Sequence, residues 1–170
     1  MGGFRFKDSL DGQFICVANK LSIPPLASVR DLMYASQEIE KSEEENILPE
    51  KKWIQQLVHP GTLLGGARPK AGVVDEHKTL YVAKFPSRKD DYDVGLWEHL
   101  CHLLAKSAGI HAAETGVLNA GDKYHTLLSR RFDRTQDGKR IHFASAMTLL
   151  GLTDGCNAGT GNGYLDIVDF

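Results

Sequence analysis

Between Ala71 and Leu128 the apolar residues change their period twice, and this pattern narrows the folds open to the chain. Two short runs, Ala71–Val74 and Leu80–Phe85, flank the polar stretch Asp75–Lys78 and read as strands joined by a turn. Then Val94, Trp97, Leu100, Cys101, Leu104 and Ala108 fall at helical intervals and predict one apolar stripe. Asp90 or Asp91 is placed to cap that helix, and Gly109 to end it. Two more strands, Glu114–Leu118 and Tyr124–Leu128, flank the turn Asn119-Ala120-Gly121-Asp122. Connections this short make neighbouring strands antiparallel. The expected class is therefore α+β, an antiparallel sheet with helices packed on it.

The flanking segments extend this reading. Phe4-Arg5-Phe6 and Gln13–Val17, with Asp11-Gly12 between them, predict a hairpin, which Pro24-Pro25 breaks. From Ala27 to about Lys41, Val29, Leu32, Met33 and Ile39 share a helical face with the small Ser36. Glu43-Glu44-Glu45 reads as a solvated loop or helix end. A second helix is expected over Glu50–Val58, burying Trp53, Ile54 and Leu57. His59-Pro60-Gly61 stops it and opens a glycine-rich stretch to Gly72. Downstream, a helix around Ser145–Leu150 ends at Gly151, and a glycine- and asparagine-rich tail follows. The expected division is 1–60, a hairpin and helical segment; 61–135, a core; and 136–170, the start of a further region.

Composition excludes several classes of function. An apolar content of 42% over 170 residues is enough to build a core. A net charge of −2 argues against direct nucleic-acid binding by bulk electrostatics. No apolar run reaches the ~20 residues that a membrane helix needs. Met1-Gly2-Gly3-Phe4 lacks the order of a signal peptide. Cys16, Cys101 and Cys156 form no C-x-x-C, so they predict reduced thiols in a cytoplasmic protein, with no disulfide framework or metal site.

Three segments carry candidate chemistry. Gly65-Gly66-Ala67-Arg68-Pro69-Lys70 combines small residues, which let backbone N–H groups approach an anion, with two cations. It is neither a Walker A loop nor a kinase G-x-G-x-x-G, and on the mechanism alone an ordinary loop is the commoner reading. Tyr81-Val82-Ala83-Lys84-Phe85 sets a lysine inside an apolar strand, where its head must reach water or an anion. It resembles the V-A-I-K strand of protein kinases, whose lysine pairs with a helix glutamate. Glu98 on the next helix is the candidate partner, and an outward lysine with a solvated glutamate is the simpler alternative. Leu127-Leu128-Ser129-Arg130-Arg131-Phe132-Asp133-Arg134 leads from a strand into a charged segment, which is either a kinase-like hinge or a surface turn of Arg–Asp pairs.

Taken in order, Gly-Gly-Ala-Arg-Pro-Lys, Ala83-Lys84-Phe85-Pro86-Ser87, the Glu98 helix ending Leu104-Ala105-Lys106-Ser107-Ala108-Gly109-Ile110, and Arg131-Phe132-Asp133-Arg134 resemble the HipA-family serine/threonine kinases. These are the kinase toxins of type II toxin–antitoxin operons. The resemblance implies a kinase N-lobe-like fold over 61–135. In that fold Gly65, Gly66, Ala67, Arg68, Pro69 and Lys70 would cradle ATP phosphates and Lys84 would contact the α/β-phosphates. Glu98 would support Lys84, and Arg130, Arg131 and Phe132 would form the adenine hinge. It further implies ATP with Mg2+ as cofactor, a protein Ser/Thr substrate and a DNA-binding antitoxin as partner. One departure is that Thr62-Leu63-Leu64 stands where many members carry serines, so Thr62 is the only nearby hydroxyl for autophosphorylation.

Kinases also need a catalytic aspartate with an asparagine five residues on, and a separate metal-binding aspartate. The chain contains no Asp-x-x-x-x-Asn, so no catalytic or metal residue is assigned. The expectation is an N-lobe truncated at the start of the C-lobe and inactive alone. The alternative is a non-catalytic module that docks to an antitoxin or to a separately encoded kinase lobe.

Overall fold

The structure, a computed structural model, describes residues 9–11, 23–57, 68–135, 137, 139–153, 155–156, 159, 161 and 163–168. The expected hairpin of Phe4–Phe6 with Gln13–Val17 lies outside the described residues, as do Thr62 and Gly65–Ala67.

A single 3-10 turn over Leu26–Ser28 leads into α1 (Val29–Glu44), which starts and ends a few residues later than the apolar spacing predicts. Val29, Leu32, Met33 and Ser36 are buried on one face, as the spacing requires. Three such aliphatic side chains contribute roughly 1.5–3 kcal/mol each on burial. At the helix end Asn46 takes φ 54°, the Asn46 amide donates to Glu43 O and the Ile47 amide donates to Ser42 O. This pairing satisfies two carbonyls that the last turn would leave orphaned. α2 (Lys51–Leu57) follows, but it buries no residue. Ile54 is 42% exposed. Trp53 is half-buried and meets Tyr34 of α1 edge-on, with ring centroids 5.4 Å apart.

β1 (Lys70–Val74), β2 (Leu80–Lys84), β3 (Thr115–Leu118) and β4 (Thr126–Arg130) form one antiparallel sheet in the order β1-β2-β4-β3. The chain is thus of the α+β class. Because side chains alternate across a sheet, the register splits them into two faces. On one face Ala71, Val73, Ala83 and Phe85 pack with Val29, Leu32 and Met33 of α1 into the core. The opposite face carries Lys70 across from Lys84, and Lys84 across from Leu127, and it receives α3 (Val94–Ser107).

α3 departs from expectation in two ways. Its cap is Asp93, whose Oδ1 accepts the Leu96 amide at 3.0 Å, because Asp90 is held elsewhere by Arg68 and the Ser87 amide. Its apolar stripe faces outward: Trp97 is 58% and Leu104 60% exposed, and Leu100 and Cys101 are also exposed. The inward face is Gly95, Glu98, His99 and His102, at the spacing i, i+3, i+4, i+7. A helix can present this polar face to a sheet when most of its polar groups find partners there. His99 Nδ1 lies 2.8 Å from Thr115 Oγ1, and Glu98 meets Lys84. At Gly95 a Cβ would sit 2.3 Å from the His125 carbonyl oxygen, so only glycine allows this approach. Gly109, at φ +78°, ends the helix as predicted.

The single helical turn α4 (Ala146–Leu149) is capped by Ser145, whose side chain accepts the Thr148 amide. Cys101 and Cys156 are free and exposed. Among the described residues no helix is long and apolar enough to cross a membrane.

Candidate functional site

Lys84 ends β2 and points to the α3 side, where its Nζ lies 2.5 Å from Glu98 Oε1. The two side chains are 31% and 29% exposed, so the pair is half-desolvated and stronger than a surface ion pair. His102, one turn on, places Nε2 3.9 Å from the same oxygen. The His102 Nδ1 atom is buried and has no hydrogen-bond partner.

Lys70 stands directly opposite Lys84 in the register, on the same face. Burial, and then the positive charges of Lys84 and Arg68, lower its pKa from the ordinary lysine value, while Glu98 opposes them. Two lysines forced side by side in this way make a site whose charge an anion would relieve. Arg68 is committed differently. Its Nη1 and Nη2 reach the two Asp90 carboxylate oxygens at 3.0 and 2.5 Å, and Asp90 also accepts the Ser87 amide at 2.9 Å. Arg68 thus ties the segment entering β1 to the turn before α3. The Pro69 carbonyl accepts the Phe85 amide, which locks β1 to β2.

At the other end of the sheet the Arg131 amide donates to Leu80 O at 2.9 Å. The side chains of the hinge-like segment are largely spent on carboxylates. Arg130 pairs with Glu114 at 2.8 Å, and Arg131 makes two bonds to the buried Asp133. Phe132 is 65% exposed and packs edge-on against Phe143. The structure therefore gathers Lys70, Lys84 and Glu98 at one end of β2 and sets Arg130–Phe132 at its other end. Four residue steps along β2, from Lys84 to Leu80, separate the two groups, about 13 Å. Gly65, Gly66 and Ala67 lie outside the described residues.

One residue that holds this arrangement, Asp93, was not singled out from the sequence. Asp93 caps α3 and also bonds His125 Nδ1 at 2.5 Å, pinning the helix start to β4. Asp90, a cap candidate in the sequence, anchors Arg68 instead, and Asp133 joins Arg131 to Arg134, the Arg–Asp pairing that the sequence offered as the alternative to a hinge. The available signal was three aspartates crowding positions 90, 91 and 93, with nothing local to say which of them caps.

The cations suit the phosphates of a nucleotide. A magnesium ion is not matched in the same way, because among the described residues no group of three His, Cys, Asp or Glu side chains could hold a metal.

No curated protein and no solved structure matches the chain. One family model does match, that of the HipA-like C-terminal domain, over residues 62–170. That match takes in the sheet, α3 and the hinge-like segment, and the chain accordingly belongs to the HipA-like C-terminal domain family.

Proposed function

We propose that this chain binds ATP on the α3 side of its sheet, as the nucleotide-holding part of a HipA-like protein serine/threonine kinase. The observation that carries the reading is the Lys84–Glu98 pair with Lys70 beside it. In protein kinases a strand lysine held by a helix glutamate contacts the nucleotide phosphates. Here Glu98 orients Lys84, Lys84 takes the α/β-phosphates, and Lys70 adds a second charge where the Gly65–Lys70 segment enters β1. The backbone of Arg130–Phe132 meets adenine, since the Arg130 and Arg131 side chains are already paired.

The parent reaction is transfer of the ATP γ-phosphoryl group to a protein serine or threonine hydroxyl. A positioned aspartate accepts the hydroxyl proton in that step. This sequence holds no Asp-x-x-x-x-Asn, so the chain alone binds nucleotide without transferring the phosphoryl group. The Mg2+ that accompanies ATP finds no ligand set among the described residues. A protein substrate and a DNA-binding antitoxin are the partners this reading implies.

Calorimetric titration of ATP and of adenosine tests it. A charged hydrogen bond contributes about 1.5–3 kcal/mol, so Lys84→Ala should weaken ATP binding by roughly 10–150-fold and leave adenosine nearly unchanged. Equal ATP affinity in wild type and Lys84→Ala refutes the site. Magnesium-dependent phosphotransfer by this chain alone refutes the claim that it only binds.

A further inference from the structure

The end of the sheet remote from Lys84 holds a second concentration of positive charge that the nucleotide reading does not use. A cavity of about 30 Å3 opens there, lined by Lys78, Thr79, Arg130, Arg131, Arg134 and Thr135 around Leu80. Four of these residues are cations. Their direct carboxylate partners are Glu114 for Arg130 and Asp133 for both Arg131 and Arg134, while the Asp75 and Asp137 carboxylates stand at the rim, on the Thr79 amide and the Thr135 hydroxyl. The two arginines on Asp133 are only 14% and 15% exposed.

Their hydrogen bonds are also incomplete. Arg131 spends Nε and Nη2 on Asp133, and Arg134 spends Nη1 on the Asp133 carboxylate and carbonyl. Among the described residues Arg131 Nη1 and Arg134 Nε and Nη2 have no acceptor, although a guanidinium carries five donors. Burial, and then the neighbouring Arg131 charge, lower the Arg134 pKa from its ordinary value even with Asp133 in contact. Lys78 sits at the mouth. It is exposed and holds φ 64°, a left-handed conformation that a side chain adopts at a cost and glycine adopts freely. The turn is fixed by Asp75 Oδ1, which accepts the His77 and Thr79 amides.

We infer that this cavity is a binding site for a phosphate-monoester dianion, either free phosphate or a phosphorylated side chain. The volume admits one oxygen-sized atom. A tetrahedral oxyanion would therefore insert one oxygen between the guanidiniums and leave the others at the mouth, within reach of Lys78. The unused guanidinium donors suit phosphoryl oxygens, which accept bidentate bonds from a planar fork. The site stands about 13 Å from Lys84 along β2, so it is separate from the proposed triphosphate contacts.

The test is titration of the full chain with inorganic phosphate and with N-acetyl phosphothreonine amide, followed by 31P NMR against chloride at matched ionic strength. Three proteins are compared: wild type, Lys78→Gly and Lys84→Ala. Lys78→Gly removes the cation at a position where glycine suits the backbone, so a loss of binding cannot come from unfolding. Saturable binding that weakens about fivefold in Lys78→Gly and is unchanged in Lys84→Ala supports the site. Equal affinity for the two probes makes the phosphoryl group alone the ligand, whereas tighter binding of phosphothreonine makes it a phosphorylated chain. Binding no better than chloride overturns the inference, as does binding insensitive to Lys78→Gly. Binding lost in Lys84→Ala also overturns it, because phosphate would then occupy the nucleotide site.

Discussion

Asp133 is the residue whose removal should be felt most at the hinge-like segment. Its carboxylate takes three side-chain bonds: Arg131 Nε at 2.8 Å, Arg131 Nη2 at 2.7 Å and Arg134 Nη1 at 2.6 Å. Asp133→Ala would leave two guanidiniums, each about 85% shielded, facing one another with no counter-ion. Removing one partner of a buried ionic group costs about 3–5 kcal/mol, and the residual exposure puts this case near 3. For a chain of this size that lowers Tm by roughly 6–12 °C. Asp133→Asn keeps the shape and one acceptor oxygen and should cost about half as much. The triple replacement Arg131→Met, Asp133→Leu, Arg134→Met removes charge and counter-charge together and should recover most of the loss. The Arg131 bond, which outweighs burial, holds the Asp133 pKa below the usual carboxylate range. The wild-type advantage is therefore complete above about pH 4, the unfolded value, and disappears only as pH falls through the lower folded value. Denaturant titration followed by circular dichroism measures all of these variants. An Asp133→Ala protein within about 1 kcal/mol of wild type would refute the reasoning, because the two arginines would then be satisfied without their carboxylate.

Two further substitutions probe how α3 is seated. Asp93→Ala removes both the helix cap and the His125 contact and should cost about 2 kcal/mol at neutral pH. Burial raises the Asp93 pKa, but the bonds from His125 and the Leu96 amide outweigh it and the net shift is downward. The gap between wild type and Asp93→Ala should then close as pH drops below about 4, and a gap that widens in acid would contradict the assignment. Gly95→Ala, normally favourable in a helix by about 1 kcal/mol, should here destabilise by about 3 kcal/mol, since the new Cβ meets a backbone carbonyl that cannot swing away. A more stable Gly95→Ala protein in the same denaturation assay would show that α3 does not lie against His125.

Much of the fold could be read from the chain because its cues are local. The turns at Asp75–Lys78 and Asn119–Asp122, the stop at Gly109 and the helical face of Val29, Leu32 and Met33 each depend on residues a few positions apart. Lys84 and Glu98 could be paired from sequence because a charged residue in an apolar strand asks for a partner, and the next helix offered one. What stayed hidden depends on contacts across the chain. Arg68 finds Asp90 22 positions away, and His125 finds Asp93 32 positions away. Three aspartates within four residues gave equal local reasons for a cap, and the choice among them was made by Arg68 and His125. The apolar stripe of α3 misled for a related reason, because periodicity reports that a helix has a face and not which face meets the sheet.

The orientation of α3 is the less obvious outcome, and sterics decide it. Turning the helix to bury Trp97, Leu100 and Leu104 would gain roughly 1.5–3 kcal/mol for each side chain. It would also strip Glu98 from Lys84, His99 from Thr115 and Asp93 from His125, at about 1.5–3, 1 and 1.5–3 kcal/mol. These sums are close enough that neither settles the matter. Turning that stripe inward takes about 200°, two residues' worth, and brings Trp97 to the place now held by Gly95. At that place even a single Cβ would lie 2.3 Å from the His125 carbonyl oxygen. Only the rotation that puts glycine against β4 lets the helix approach the sheet, and that rotation carries Glu98 to Lys84. The position of the glutamate thus follows from a glycine three residues before it.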